Sequence, residues 1–232
     1  MKEKTTKRLD GRKIDELREM EAQVGVIKRA DGSAMFRIGK TKAIAAVYGP
    51  RALHPTFMRN PETGILRCNY NMMSFSTGER VRPGPSRRSK EISLVTENAL
   101  MPVLDLKEYP NAVVDVFIEL IQADAGTRCA GITAAAMALA DAGFIMKDLV
   151  SAISVGKVGK QIVVDLDKEE EDFEGGATDI PIAMTPRNGE ITLLQMDGEI
   201  SKDELMKAIE MGKEACLKIY ELQKNALREK YI

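Results

Sequence analysis

The amino-acid sequence predicts an α+β protein of stacked strand–helix layers. Two stretches carry the prediction, since each runs through several short apolar strands before a helical pattern closes it. A third observation is a helix written mostly in small residues: Ala130, Gly131, Thr133, Ala134, Ala135, Ala136, Ala138 and Ala140. Such a helix must pack tightly, against a sheet. The two stretches define a first part, residues 1–147, and a second, residues 148–232, with a seam near 145–150.

Residues 1–20 are polar and charged and read as an arm leading into the fold. Strands follow in QVGVIKRADGSAMFRIGKTKAIAAVYG, where Asp31-Gly32 and Gly39-Lys40 break the apolar alternation as hairpin turns do. Three prolines and a glycine make residues 50–66 a loop, a strand resumes over 67–75, and STGERVRPGPS forms a second loop. Ser86 is placed to cap a helix beginning at Arg87, with Ile92, Val95, Ala99 and Leu100 on one face and Pro102 at its end. The apolar run from Val113 is a strand, turning at residues 124–128 into the small-residue helix, which Gly143 closes.

The second part opens with the hairpin SAISVGKVGKQIVVDLD. After it come an acidic stretch over 165–179, the strand IPIAMTP, and a turn at Asn188-Gly189 into EITLLQMDG. Ser201 and Glu204 form a capping box. It opens a long helix whose apolar stripe is Leu205, Ala208, Ile209, Gly212, Cys216, Ile219 and Leu222.

A chain of 232 residues suits one large domain or two small ones, and 44% hydrophobic with 30% charged residues is ordinary for a soluble globular protein. No apolar run reaches bilayer-spanning length and the basic N-terminus lacks a signal core, so the expectation is a cytoplasmic protein without a membrane partner. The net charge of −1 supplies no global basic field, so any polyanion site must be local. Three scattered cysteines without CxxC spacing argue against a disulfide frame or zinc site. A single histidine, His54, nearly excludes Ser–His triads and HExxH sites. Acid–base work therefore falls to carboxylates.

Three clusters carry candidate chemistry. At residues 124–128 an apolar strand meets a helix start, where free N–H groups and the helix dipole favour an anion. Gly126 lets the backbone approach, Thr127 offers a hydroxyl, and Arg128 a two-pronged cation. Read alone, the same turn is equally a tight junction with a surface arginine. The second cluster is Arg80, Arg82, Arg87, Arg88 and Lys90, a solvated loop or a phosphate guide. Cations at the helix start occupied by Arg87 and Arg88 are unfavourable unless an anion lies nearby. The third is the acidic run. A charged hairpin tip accounts for residues 169–171, whereas Asp179 precedes a strand and Asp172 can fold back beside it across Gly175-Gly176. Two such carboxylates would hold Mg²⁺ or keep one proton for acid catalysis. Together these point to phosphoryl chemistry on a nucleic acid.

At QADAGTR, SRRSKEIS and the paired aspartates the chain resembles the ribonuclease PH family, and within it the catalytic subunits of archaeal exosomes. LDGRKIDELRE (9–19), GSAMFRIGKTKAIAAVYGPR (32–51), VVDVFIELIQADAGTR (113–128), ALADAG (138–143) and DIPIAM (179–184) extend the likeness over nearly the whole chain. The resemblance implies a ribosomal protein S5 domain 2-like, RNase PH fold. It also implies 3′-to-5′ phosphorolysis of single-stranded RNA to nucleoside diphosphates, which is reversible into 3′ tailing. The implied partners are a non-catalytic paralogue, in a trimer of heterodimers, and S1/KH-type caps.

By the same resemblance Arg88, Gly126, Thr127 and Arg128 bind inorganic phosphate, the co-substrate. Asp172 is the general acid, with Asp179 its companion at Mg²⁺ or Mn²⁺, and Arg87 meets RNA or phosphate. Arg51, His54 and Arg59 lie in a loop that grips RNA, and Arg80 and Arg82 belong to the basic guide. The sequence departs from the family pattern in three places. Ala125 replaces a glycine, Thr56 replaces a basic RNA contact, and the segment between Asp172 and Asp179 is one residue longer. A non-catalytic RNA-binding scaffold of the same ring is the alternative. The arginines of the clamp count against it.

Overall fold

The computed structural model describes residues 8–230, whose strands form two sheets. The first contains β1 (Met20–Val24), β2 (Gly32–Ile38), β3 (Thr41–Ala52), β4 (Ile65–Met72) and β5 (Ala112–Gln122) in the order β1-β2-β3-β5-β4. Only the β4–β5 pair in that sheet is parallel. The second contains β6 (Ser151–Val158), β7 (Gln161–Val164), β8 (Ala177–Thr185) and β9 (Glu190–Leu194), antiparallel in the order β7-β6-β8-β9. Helix α1 (Arg87–Leu100) lies on β4, and α4 (Lys202–Glu229) lies on β6, β7 and β8 and reaches β1. Among the described residues no helix is long and apolar enough to cross a membrane.

Helix α2 (Thr127–Asp141) explains its own composition. It packs on β2, β3 and β5 of one sheet and on β6 and β8 of the other, so beyond its first turn it has almost no solvent face. A helix buried all round loses the apolar/polar period. Small side chains let both sheets close on it: a Cβ on Gly131 would already stand 3.1 Å from Ile118. One continuous core therefore joins the two sheets through α2.

The helix starts follow their caps. Ser86 accepts from Ser89 N at 3.0 Å and Ser89 Oγ accepts from Ser86 N at 2.8 Å, closing a capping box ahead of α1. Ser201 and Glu204 do the same for α4. At Gly39-Lys40 the structure has the expected two-residue turn, with Ile38 facing Thr41.

Asp31-Gly32 is a different matter. A longer connection, residues 25–31, joins β1 to β2, and Gly32 is already the first residue of β2. A Cβ there would stand 2.3 Å from the backbone nitrogen of Ala142. The glycine serves close approach of α2, not a turn.

The acidic run also differs from expectation. Residues 169–171 are no hairpin tip but part of a one-turn helix, α3 (Lys168–Glu171), capped by Asp167. Glu170 is buried and receives Arg8 in a two-pronged pair, Nε at 2.7 Å and Nη2 at 2.5 Å. Arg8 also donates to the carbonyls of Val164 at 2.7 Å and Asp165 at 2.8 Å. The polar N-terminal arm is thus, from Arg8 onward, pinned to the second sheet; its residues 1–7 lie outside the described residues.

Strand β4 forms an edge of the first sheet, and α1 lies against it. Two of its backbone donors are taken by side chains of that helix. Cys68 N donates to Glu97 Oε1 at 2.8 Å and Tyr70 N to Ser93 Oγ at 2.9 Å.

Candidate active site

A cleft of about 770 Å³ opens between the start of α2, the start of α1 and the acidic segment. Its walls include Arg88, Gly126, Thr127, Arg128, Asp172 and Asp179. Those six come from four separate elements, and the sheets bring them together. The N-terminus of α2 explains the cationic wall. Gly126 is its N-cap, at φ +60 and ψ 20, and no side chain caps the helix. Its first N–H groups are therefore left for an anion.

Ala125, just before, is also left-handed at φ +58, which costs an alanine about 1–2 kcal/mol relative to ordinary backbone. Thr41 braces that residue: its hydroxyl accepts from Asp124 N at 2.9 Å and donates to Ala125 O at 2.7 Å.

Arg128 is held from one side only. Its Nη2 donates to Glu91 Oε2 at 3.2 Å, while its Nε is buried without a hydrogen-bond partner. Glu91, one turn beyond Arg88 on α1, also accepts from Gln195 Nε2 at 3.0 Å, so it links α1 to the end of β9. A buried unpaired donor costs about 1–3 kcal/mol unless something supplies an acceptor. An oxyanion at the α2 terminus would do so.

The acidic wall is crowded. Asp179, on β8, is bonded by the Ser154 hydroxyl, and burial pushes its carboxyl above the usual range, with Asp197 adding to the push. Burial also pushes Glu171 up to about 7, and the Asp179 charge works in the same direction. Lys168 and Arg88 oppose that rise. Asp172 is exposed and accepts from Lys168 Nζ at 2.7 Å. Burial pushes the Cys129 thiol, also in the wall, well up, away from thiolate character. No cluster of three or more His, Cys, Asp or Glu side chains suited to a metal ion occurs among the described residues. Asp172 and Asp179 still share the cleft, and Mg²⁺ is commonly held by one or two carboxylates plus substrate phosphates.

The remaining sequence-predicted residues lie elsewhere. Arg80, Arg82 and Arg87 are exposed in and after the 76–86 loop, outside the cleft wall. Arg51 is in β3 rather than in a loop, 4.9 Å over the Tyr48 ring and 3.9 Å from Asp31. Arg59 Nε donates to Leu53 O at 2.9 Å, and His54 is exposed. Sequence reasoning missed Glu171, Lys168, Glu91, Gln195, Ser154 and Asp197. The i,i+3 spacing of Arg88 and Glu91 on a helix face was an available signal for one of them. Gln195 carried none.

The Glu171 carboxyl gives a pH prediction. Its folded value of about 7 lies above the ordinary 4.5, so the folded protein holds the extra proton between those limits. Stability then falls as pH rises through that window, and the loss is complete above it. Allowing for partial exposure, the whole shift is worth about 2 kcal/mol. Urea unfolding in EDTA is expected to show Glu171→Gln gaining about 2 kcal/mol on the wild type between pH 4.5 and pH 8. A constant difference across that range would rule the shift out.

Known proteins resemble the chain over most of its length. Residues 16–144 match domain 1 of the 3′ exoribonuclease family, RNase PH, and residues 148–215 match its domain 2. The chain is 53% identical to the exosome complex component Rrp41 of Thermococcus kodakarensis over 97% of its length and 90% of that protein. Identity to the protein of the same name from Methanopyrus kandleri is 51%, over 97% and 93%. Among solved structures, rice Rrp46 superposes with a TM-score of 0.83 at 24% identity, covering 95% of this chain and 100% of that one. A chain of the Archaeoglobus fulgidus exosome with RNA bound to the active site gives 0.78 at 22%, over 98% and 93%.

Proposed function

The chain belongs to the 3′ exoribonuclease (RNase PH) family, and on that premise we propose that it is the phosphorolytic subunit of an archaeal exosome ring. The observation that carries this reading is the buried, unpartnered Nε of Arg128 beside the uncapped start of α2. A bound phosphate would supply the acceptor that Nε lacks and take up the free N–H groups.

In this reading inorganic phosphate sits among Arg88, Thr127, Arg128 and the first N–H groups of α2. A phosphate oxygen attacks the last phosphodiester of single-stranded RNA. The bond to the 3′ oxygen breaks, a nucleoside diphosphate leaves, and the shortened RNA takes up a proton. Asp172 supplies that proton with Asp179 as its companion, and burial with the Asp197 charge pushes the Asp179 carboxyl toward its protonated form. The same two side chains would hold Mg²⁺ or Mn²⁺, which supplies charge neutralisation when bound. Most of the catalysis is positioning and electrostatics. The reaction is nearly balanced, so the same site would also add 3′ tails.

The proposal extends to the division of labour. Residues 1–147 carry phosphate and RNA binding, with Arg51, His54, Arg59, Arg80, Arg82 and Arg87 along the RNA path. Residues 148–232 carry the acids. The partners would be a non-catalytic paralogue and S1/KH-type caps, in the cytoplasm.

Labelled RNA incubated with the assembled complex is expected to yield nucleoside diphosphates only when phosphate is added. Nucleoside monophosphates released without phosphate would show a hydrolase instead. Asp172→Asn is expected to slow release by about 10²–10⁴-fold with RNA affinity intact. An unchanged rate would take Asp172 out of the role.

A further inference from the structure

The proton and phosphate chemistry proposed above leaves unused the stretch LDGRKIDELRE (9–19), whose last arginine has its side chain largely buried behind the cleft. We propose that Arg18, locked to Asp165, is a positioning residue for phosphate: it holds the turn before α2 in register with the acidic segment. This rests on the phosphorolytic reading.

Arg18 has two ends to its bonding. At one, Nη1 donates to Asp124 O at 2.5 Å, and a Cβ added to Gly126 would stand 3.5 Å from Nη2. At the other, the guanidinium takes Asp165 in a fork, Nε to Oδ2 at 3.0 Å and Nη2 to Oδ1 at 2.6 Å. The backbone N–H of Arg18 donates to the same carboxylate at 2.8 Å. A planar fork fixes direction as well as distance, which an ammonium does not.

What lies at each end is strained backbone. Ala125 and Asp165 are both left-handed without being glycine, at φ +58 and +59. Residues in that region persist only where their surroundings over-determine them, and such places cluster at functional sites. Asp165 is buried, and its N–H donates to Ser154 O at 2.7 Å, while the Ser154 hydroxyl bonds Asp179. Two residues on, Asp167 caps α3, whose Lys168 and Glu171 line the cleft beside Asp172. One side chain therefore ties the anion-binding turn of the first sheet to the supports of both acids on the second. Arg18 does not line the cleft itself. It acts through the turn.

The test is steady-state phosphorolysis by the assembled complex carrying Arg18→Lys, with phosphate and RNA varied separately. Lysine keeps the charge and loses the fork. The expected result is a KM for phosphate raised by about 10- to 100-fold, with kcat at saturating phosphate and RNA affinity near wild type. Adding Ala125→Gly to Arg18→Lys, which removes the strain the guanidinium holds in check, is expected to bring the KM back most of the way.

If Arg18→Lys does not fold, Asp165→Asn decides the matter by the same readings, because it weakens the fork and leaves the Arg18 bond to Asp124 O in place. A KM for phosphate unchanged in the variant, or RNA and phosphate affinities falling together, overturns the proposal. Wild-type complex that needs no phosphate would overturn the phosphorolytic reading itself, a result separable from either.

Discussion

Arg128→Ala is expected to cut phosphate-dependent RNA cleavage by about 10²–10³-fold, the loss typical when one preorganised donor is removed from a developing anion. Two features of the structure set that size. The side chain stands at the first turn of a helix with no capping side chain, so its charge adds to that of the free N–H groups. Its Nε is already desolvated and unpaired, so nothing is lost in dehydrating it when the anion arrives. Arg128→Lys is expected to fall between, retaining charge without the two-pronged geometry. Thermal unfolding gives an independent check, since a ligand that binds only the folded state raises its stability. Phosphate is expected to raise the Tm of the wild type and to leave that of Arg128→Ala unmoved. Equal shifts in both would place the anion elsewhere.

Arg8→Ala is expected to destabilise the folded chain by about 3–5 kcal/mol, because it leaves a buried carboxylate with only the Asp167 N–H and the more distant Arg12 guanidinium, 3.7 Å away. Both side chains of the Arg8–Glu170 pair are 1% exposed. Arg8 also donates to the Val164 carbonyl, which would be orphaned as well, whereas the Asp165 carbonyl keeps Arg12 Nη2 at 3.0 Å. The pair itself need not be favourable: replacing both members with apolar residues of similar volume is often neutral or stabilising. Arg8→Met with Glu170→Leu is therefore expected to recover most of the loss. Urea denaturation of the full chain checks both, and a loss under about 1 kcal/mol for Arg8→Ala would show the pair to be solvated.

Local chemistry carried much of the fold into the sequence. Ser86 ahead of α1, Ser201 with Glu204 ahead of α4, and the two-residue turn at Gly39 are decided by side chains within a few positions of one another. The strand-to-helix junction at Gly126 was legible for the same reason. What stayed hidden depends on distant residues. Helix α3 is four residues long, too short to show a period, and Glu170 within it is held by Arg8 across 162 positions of chain. Gly32 mimics a turn signal because nothing nearby reveals that Ala142 will press on it. The same holds for the cleft. Arg88, Gly126, Thr127, Arg128, Asp172 and Asp179 were named from motifs and resemblance, but Gln195 meets Glu91 across 104 positions. The upward push on Glu171 comes from burial and Asp179, which only the packed sheets supply. Arg18 read as one more charge on a polar arm leading into the fold.

The side chains of Glu97 and Ser93 on the flank of β4 bear on how the chain behaves while still partly folded. An open strand edge invites any neighbouring chain to continue the ladder, the route to clumping during synthesis or heating. Here the donors of Cys68 and Tyr70 are spoken for from within. A stray segment arriving at that border finds those two N–H groups already taken, which weakens any ladder it starts.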